Sequence, residues 1–372
     1  MKRTIVLGLV LSAAMGSCVR THDGALGTGS YEVIDLGVHP GFDTSEPTGI
    51  NSAGQVSGFS SKSNDSSRRA FVYDTPRCQM VDVGAAVPQQ ASSEAMAIND
   101  SALVVGSYTR ADGKVRAFSF AQGMFRDLGG AEGVNHHALA VNKSGKIVGY
   151  ESAAGNEDAV AYTNGQAVPF PIVGNAYVKQ ATGINDSGEV IGPLGTAGGP
   201  MQGMKFFPNL GRWYQIRPAS PHPQLPDFDR VMQPRAINAN GNVTGIIGST
   251  VPHAFFSPNH FEPTRDLGTL DSAHPEWFTV AYGINASAHV VGVAQTSGGI
   301  TAFLHNGNTM IDLNQRIPAA AGWRLIGALA INDNGLIAAQ ASRNNGPRRA
   351  VLLLPVGRVG PTGPLCPPSV FG

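Results

Sequence analysis

Residues 183–192 read GINDSGEVIG, and the chain writes the same ten-residue pattern six more times. GINSAGQVSG stands at 49–58, AINDSALVVG at 97–106 and AVNKSGKIVG at 140–149. AINANGNVTG follows at 236–245, GINASAHVVG at 283–292 and AINDNGLIAA at 330–339. The shared Asn falls at 51, 99, 142, 185, 238, 285 and 332. Six steps from the first to the last average about 47 residues, a period belonging to propellers and other repeat arrays.

Each copy places an apolar residue, the Asn, two small or polar residues, usually a Gly, and then alternating apolar residues. An Asn at the head of a turn can bond its side chain to the backbone two residues on, and Gly takes the positive φ that closes a hairpin. The flanks alternate with period two and are rich in β-branched residues, so they read as strands. The run is therefore a tight turn between two strands, structural in role, and no chemistry is assigned to it. Ala102 and Ala288 stand where the other copies have Gly.

Two further strand signals recur at fixed phase. One carries an Ala-Phe-like pair: RAFVY (69–73), RAFSF (116–120), DAVAY (158–162), MKFFP (204–208), HAFFS (253–257), TAFLH (301–305) and RAVLL (349–353). The other is an apolar run ending near Asp-Leu-Gly: YEVIDLG (31–37), MVDVG (80–84), FRDLG (125–129), TRDLG (264–268) and MIDLN (310–314), with degraded forms VPFPIVG (168–174) and RWYQIRP (212–218). Each period thus predicts four short strands: A and B around the Asn turn, C at Ala-Phe and D at Asp-Leu-Gly. The recurring Asp is expected to be structural.

The array begins on a D strand and ends on a C strand. A linear solenoid would leave an orphan strand at one end and an open sheet at the other, both exposed edges. Closing the array into a ring lets the first D complete the last sheet, and radial four-stranded sheets are the propeller solution. The predicted fold is all-β: a seven-bladed β-propeller of four-stranded blades over 31–357, closed by the N-terminal strand joining the last blade. Residues 358–372 form a Pro/Gly-rich tail.

The repeat resembles the HAF-repeat family of extracellular repeat proteins, named for the triplet His-Ala-Phe. His253-Ala254-Phe255 is the literal triplet; Arg, Asp, Met or Thr stands in the His place elsewhere. The resemblance spans about 31–354. It implies an exported protein without a defined catalytic activity, and it supplies no catalytic residues.

Composition agrees with an all-β array: 47 Gly and 25 Pro in 372 residues, with 14% charged residues. The formal net charge is zero, which argues against a nucleic-acid partner, since such binding needs a basic field. The pairs at 68–69 and 348–349 read as solvated loop ends.

The N-terminus reads as a targeting segment rather than as part of the fold. Lys2 and Arg3 precede the apolar stretch TIVLGLVLSAAMG, too short for a stable span. Met15-Gly16-Ser17-Cys18 resembles a bacterial lipobox, with Met where Leu is usual. Residues 1–17 are read as a lipoprotein-type signal peptide and 18–30 as a tether carrying lipid on Cys18. Ordinary secretory cleavage is the alternative. With Cys18 lipidated, Cys78 and Cys366 form an even pair in an oxidising compartment, and a Cys78–Cys366 disulfide could latch the first blade to the last. An unpaired Cys366 in a loose tail is the other reading.

Loops on a rigid scaffold carry function, and in this topology the D–A and B–C loops share one face. The D–A loops gather His39, His136, His137, His222 and His274 with several carboxylates and aromatics. The named ligand candidates are His222, Asp227, Asp229, His274, Trp277 and Trp323. The segment PASPHPQLPDFDRVMQP (218–234) is either a stiff flap or an insertion. Adjacent His136 and His137 point different ways on a strand and are poor joint ligands. No metal site, cofactor or catalytic residue is assigned, and no Ser-nucleophile elbow, HExxH, P-loop or EF-hand pattern occurs. The predicted function is that of a monomeric exported module, held at the outer membrane or cell surface through Cys18, binding or scaffolding a glycan or an envelope protein. A secreted form, and a carbohydrate- or peptide-acting enzyme with its site in the central channel, are the alternatives.

Overall fold

The computed structural model describes residues 29–356, except 66, 91, 175, 196–199, 219–230 and 259–261. Cys18, Cys366, His222, Asp227 and Asp229 therefore lie outside the described residues, as do the signal segment, most of the tether and the tail.

The chain is a seven-bladed β-propeller: seven four-stranded antiparallel sheets, each in A-B-C-D order from the channel outward. The first blade shows the plan, with Thr44–Ile50, Val56–Ser61, Arg68–Asp74 and Gln79–Asp82 as its strands. The last blade has Trp323–Ile331, Ile337–Arg343 and Arg348–Pro355, and its fourth strand is Tyr31–Asp35 from the other end of the chain. That strand runs antiparallel to the C strand, pairing Tyr31 with Pro355 and Ile34 with Leu352. The predicted ring closure is thus present.

The core is divided among the seams between blades. One cluster joins Phe71 and Val56 of the first blade to Leu336 and Leu352 of the last. Another joins Ala70 and Val72 to Ala95 and Phe118 of the second. The remaining five clusters straddle the other five seams in the same way. No blade buries both faces alone, so the apolar driving force that folds each sheet also cements it to its neighbours. The C-strand pair lies at the centre: Phe71, Phe118, Phe255 and Phe303 are fully buried. In the fourth blade Met204 stands opposite Gly192. Gly203-Met204, rather than Lys205-Phe206 of MKFFP, therefore fills the Ala-Phe position.

Six A strands carry a register shift two residues before their end, as between Pro47 and Gly49. Such a bulge bends the strand and turns one carbonyl toward the B strand. At Gly58, Gly106, Gly149, Gly192, Gly245 and Gly292 an added Cβ would collide with that carbonyl, which explains the Gly ending six of the seven repeats. The seventh repeat ends in Ala339. Its A strand holds a second register shift, between Leu325 and Gly327, and Ala339 pairs with Ala328.

The turn carries more hydrogen bonds than the sequence reading assigns to it. In every copy the Asn side-chain oxygen accepts from the backbone four residues on, for example from Gln55 at 2.9 Å and Leu336 at 3.0 Å. The bond two residues on is added only in some copies, at Ser101, Asn240 and Asn334. Five copies place Gly at φ between 78° and 80°. Ala102 and Ala288 take the same left-handed position at 57° and 59°, so they keep the turn and bear its strain.

Candidate functional site

At one end of the channel the seven Asn residues form a closed circuit. Asn51 donates its side-chain amide to the carbonyl of Asn99 at 3.1 Å, Asn99 to Asn142 at 2.9 Å and Asn142 to Asn185 at 3.1 Å. Asn185 reaches Asn238 at 3.3 Å, Asn238 reaches Asn285 at 2.8 Å, Asn285 reaches Asn332 at 3.2 Å, and Asn332 returns to Asn51 at 2.9 Å. Each Asn is buried. The next residue often adds a second stitch. Asp100, Asp186 and Asp333 accept from the backbone of Ser52, Lys143 and Ala286, each one blade back, at 2.7–2.9 Å. Lys143 sits 3.2 Å from Asp100, and this pairing raises its pKa. The hollow of about 200 Å³ over this ring is lined by these Asn and Asp residues together with the Ile and Val that precede the Asn residues.

The recurring Asp of strand D is structural as well. It caps its own turn, as Asp127 does on Gly129 at 2.7 Å, and it ties strand D to the first residue of the C-strand triplet. Arg69 forks onto Asp82, with Nη2 at 2.7 Å. Thr301 bonds Asp312 at 2.8 Å. His253 of the literal His-Ala-Phe places Nδ1 2.9 Å from Asp266 and Nε2 2.9 Å from the carbonyl of Pro275. The variable first position of the triplet therefore selects different partners for one constant carboxylate.

On the opposite face, where the B–C and D–A loops lie, two candidate residues come together. His274 stacks on Trp277 with ring centroids 4.1 Å apart and planes 6° apart, and its Nδ1 lies 2.8 Å from Glu276. Trp323 is half-buried against the core shared by the sixth and seventh blades, under the Arg343 guanidinium at 5.6 Å. His136 and His137 diverge, as the strand geometry requires. His136 is fully buried with Nε2 3.4 Å from the carbonyl of Ala131. His137 stacks on Tyr150 at 4.5 Å, and burial, with His136 beside it, pushes its pKa down to about 4. Among the described residues no group of His, Cys, Asp and Glu is placed to hold a metal ion.

A concavity of the same face lies between the third and fourth blades, a cleft of about 660 Å³, within the range of small-ligand sites. One wall is the B–C hairpin of the third blade. Ala154 and Gly155 both have positive φ, 50° and 86°, the geometry of a tight two-residue hairpin turn. Asn156, Glu157 and Asp158 leave that turn along the cleft. The other wall is the D–A connection, where Val173 and Ala176 bond each other in both directions at 2.9 and 3.0 Å. This small closed loop sets out Tyr177, 51% exposed, beside Ile172 at 53%. Lys179 lies over Gly195, whose missing side chain leaves room for its stem. Both walls are fixed by backbone bonds across the seam, Ala159 to Val178 at 2.8 Å and Ala181 to Gly149 at 3.1 Å. Gln180 holds Glu157 at 3.1 Å.

None of the cleft residues was among the candidates read from the sequence. The signal was nevertheless present: the cleft lies where the repeat fails, at VPFPIVG in place of Asp-Leu-Gly. There Val173 pairs with Ala176 and packs against the core, while Ile172 and Tyr177 stay exposed.

No family model and no curated protein matches the sequence. Solved structures share the fold. One of two prolyl endopeptidases analysed for inter-domain dynamics is similar at a TM-score of 0.51 and 8% identity, over 85% of this chain and 47% of that one. The acylaminoacyl peptidase of Pyrococcus horikoshii is similar at 0.50 and 8%, over 85% and 52%. TolB of Acinetobacter baumannii gives 0.41 and 10%, over 87% and 80%. The chain spans about half the length of the two peptidases, and at such identities the likeness is one of fold.

Proposed function

We propose that this chain is an exported propeller of the HAF-repeat type, anchored to a membrane by lipid on Cys18, which presents its loop-bearing face to a ligand. The observation that carries the reading is the position of the chain ends. Val356 donates to the carbonyl of Ser30 at 2.9 Å, so the two ends of the described chain meet where the C strands end, on the face of the Asn ring. A tether there directs the opposite face, with the cleft between the third and fourth blades, away from the bilayer. The two faces divide the work: one carries the Asn ring and the tether, the other the free cleft. A rigid ring of paired strands suits a binding module, since little ordering entropy is lost on association.

The test has two arms on the full chain. Metabolic labelling with palmitate is expected to mark the protein and to vanish in Cys18→Ser; unchanged labelling overturns the anchor. The Cys18→Ser protein is then screened against purified envelope glycans and envelope proteins. Saturable binding to any of them supports the module, and uniform absence of binding overturns it.

A further inference from the structure

Resting on that reading of a binding module, we infer that the cleft between the third and fourth blades takes a neutral, polyhydroxylated ligand, a unit or short run of a saccharide chain. The lining fits that chemistry better than the alternatives. Glu157 and Asp158 supply carboxylate oxygens that accept from hydroxyl groups, while Asn156 and Lys179 supply donors. A pair of acceptors beside a pair of donors matches a ring of hydroxyls, each of which does both. Tyr177 offers an exposed aromatic face at the rim, a surface on which the C–H side of a sugar ring packs while its hydroxyls turn to the polar wall. Glu157 is held in place by Gln180, so one recognition group is already oriented.

Other ligand classes meet obstacles here. An anion would face two carboxylates against one ammonium. An extended peptide adds to a sheet through a free strand edge. Strand Asn156–Thr163 is paired on both sides, and Val190–Leu194 is paired on both sides and bridged to Val178. The apolar lining, Val173, Ala176 and Leu194, is too small to anchor a large hydrophobic side chain.

The Cys18→Ser chain is tested by calorimetry and immobilised-ligand binding against fragments of xylan, cellulose, starch, galactan and chitin, with casein peptides as the peptide probe. At least one saccharide is expected to bind. Tyr177→Ala and Asp158→Asn should each weaken it about tenfold or more, and Ala176→Trp, which fills the cleft from a side chain already at its edge, should abolish it. Met124→Ala, an exposed side chain of the second blade, should leave affinity unchanged. Circular dichroism melting separates loss of binding from loss of fold. Saccharide binding that survives all three cleft variants in folded protein overturns the site and leaves the module intact. Peptide or envelope-protein binding without saccharide binding overturns the ligand class alone. Absence of all binding overturns the inference together with the module.

Discussion

Asn332 donates its side-chain amide to the main-chain carbonyl of Asn51 at 2.9 Å, although 281 residues separate the two. That bond is the seventh in a series whose other members join residues 43–53 positions apart. A ring of equivalent bonds has no weak end. Asn332→Ala removes this bond and the turn bonds to Asn334 and Leu336. At about 1 kcal/mol net for each bond, with an added cost for buried groups left unpaired, the loss should be about 2–4 kcal/mol. Asn142→Ala, at an interior joint, should cost about the same. Urea denaturation compares them; a much smaller loss at Asn332 would mean that the last joint carries no load.

The two Ala residues at positive φ offer a gain. Replacing Ala102 or Ala288 by Gly relieves a left-handed conformation that costs an L side chain about 1 kcal/mol, partly offset by the greater freedom of Gly in the unfolded chain. Each change should raise stability by about 0.5 kcal/mol, and the reverse change Gly145→Ala should lower it. Thermal melts of the paired variants decide the sign.

A different Gly is needed for space. Gly149→Ala would drive a Cβ into the carbonyl of His137, and the strands cannot part without breaking the ladder. A loss of about 3 kcal/mol is expected. Ala339→Gly at the equivalent place in the last blade should cost only about 1 kcal/mol, because the extra register shift there already makes room.

Burial holds His137 at a pKa of about 4, against about 6.5 in the unfolded chain. The folded state therefore binds fewer protons, and the stability this residue contributes is complete above pH 6.5. It drains away as pH falls from about 6.5 to about 4 and changes no further below that. With allowance for partial solvent screening the loss is on the order of 2 kcal/mol. His137→Gln should flatten this part of the pH profile of the denaturation midpoint. An unchanged profile would assign the acid sensitivity to other groups.

Cys78 is disulfide-bonded and packs in the seam between the last and first blades. Both chain ends leave the fold at that seam, so Cys18 and Cys366 are each close in sequence to a point beside it. The proposed partner is Cys366. Non-reducing digestion should yield one peptide joining Cys78 to Cys366 that splits on reduction. A peptide joining Cys78 to Cys18 would remove the latch and the lipid anchor together, because one sulfur cannot hold both a disulfide and a thioether.

The sequence by itself determined the number of blades, the order of strands within each and the closure by Tyr31–Asp35, because turn chemistry and period-two alternation are local and were written seven times. It also marked the Asp of strand D as structural. Only the tertiary structure decided what the Asn side chains do beyond their own turn, since an amide that reaches a neighbouring blade has no signature at short range. The same holds for the cleft. Asn156, Glu157, Asp158, Tyr177 and Lys179 come from two blades, and each looks ordinary where it stands in the chain. How far Trp323 is covered, half-buried against the seam of the sixth and seventh blades, was also set only by the tertiary structure, because exposure depends on what covers a residue after the blades close. Repetition specified the scaffold; the concave surface lies beside one of the two places where the Asp-Leu-Gly signal lapses, through contacts that exist only once the ring is formed.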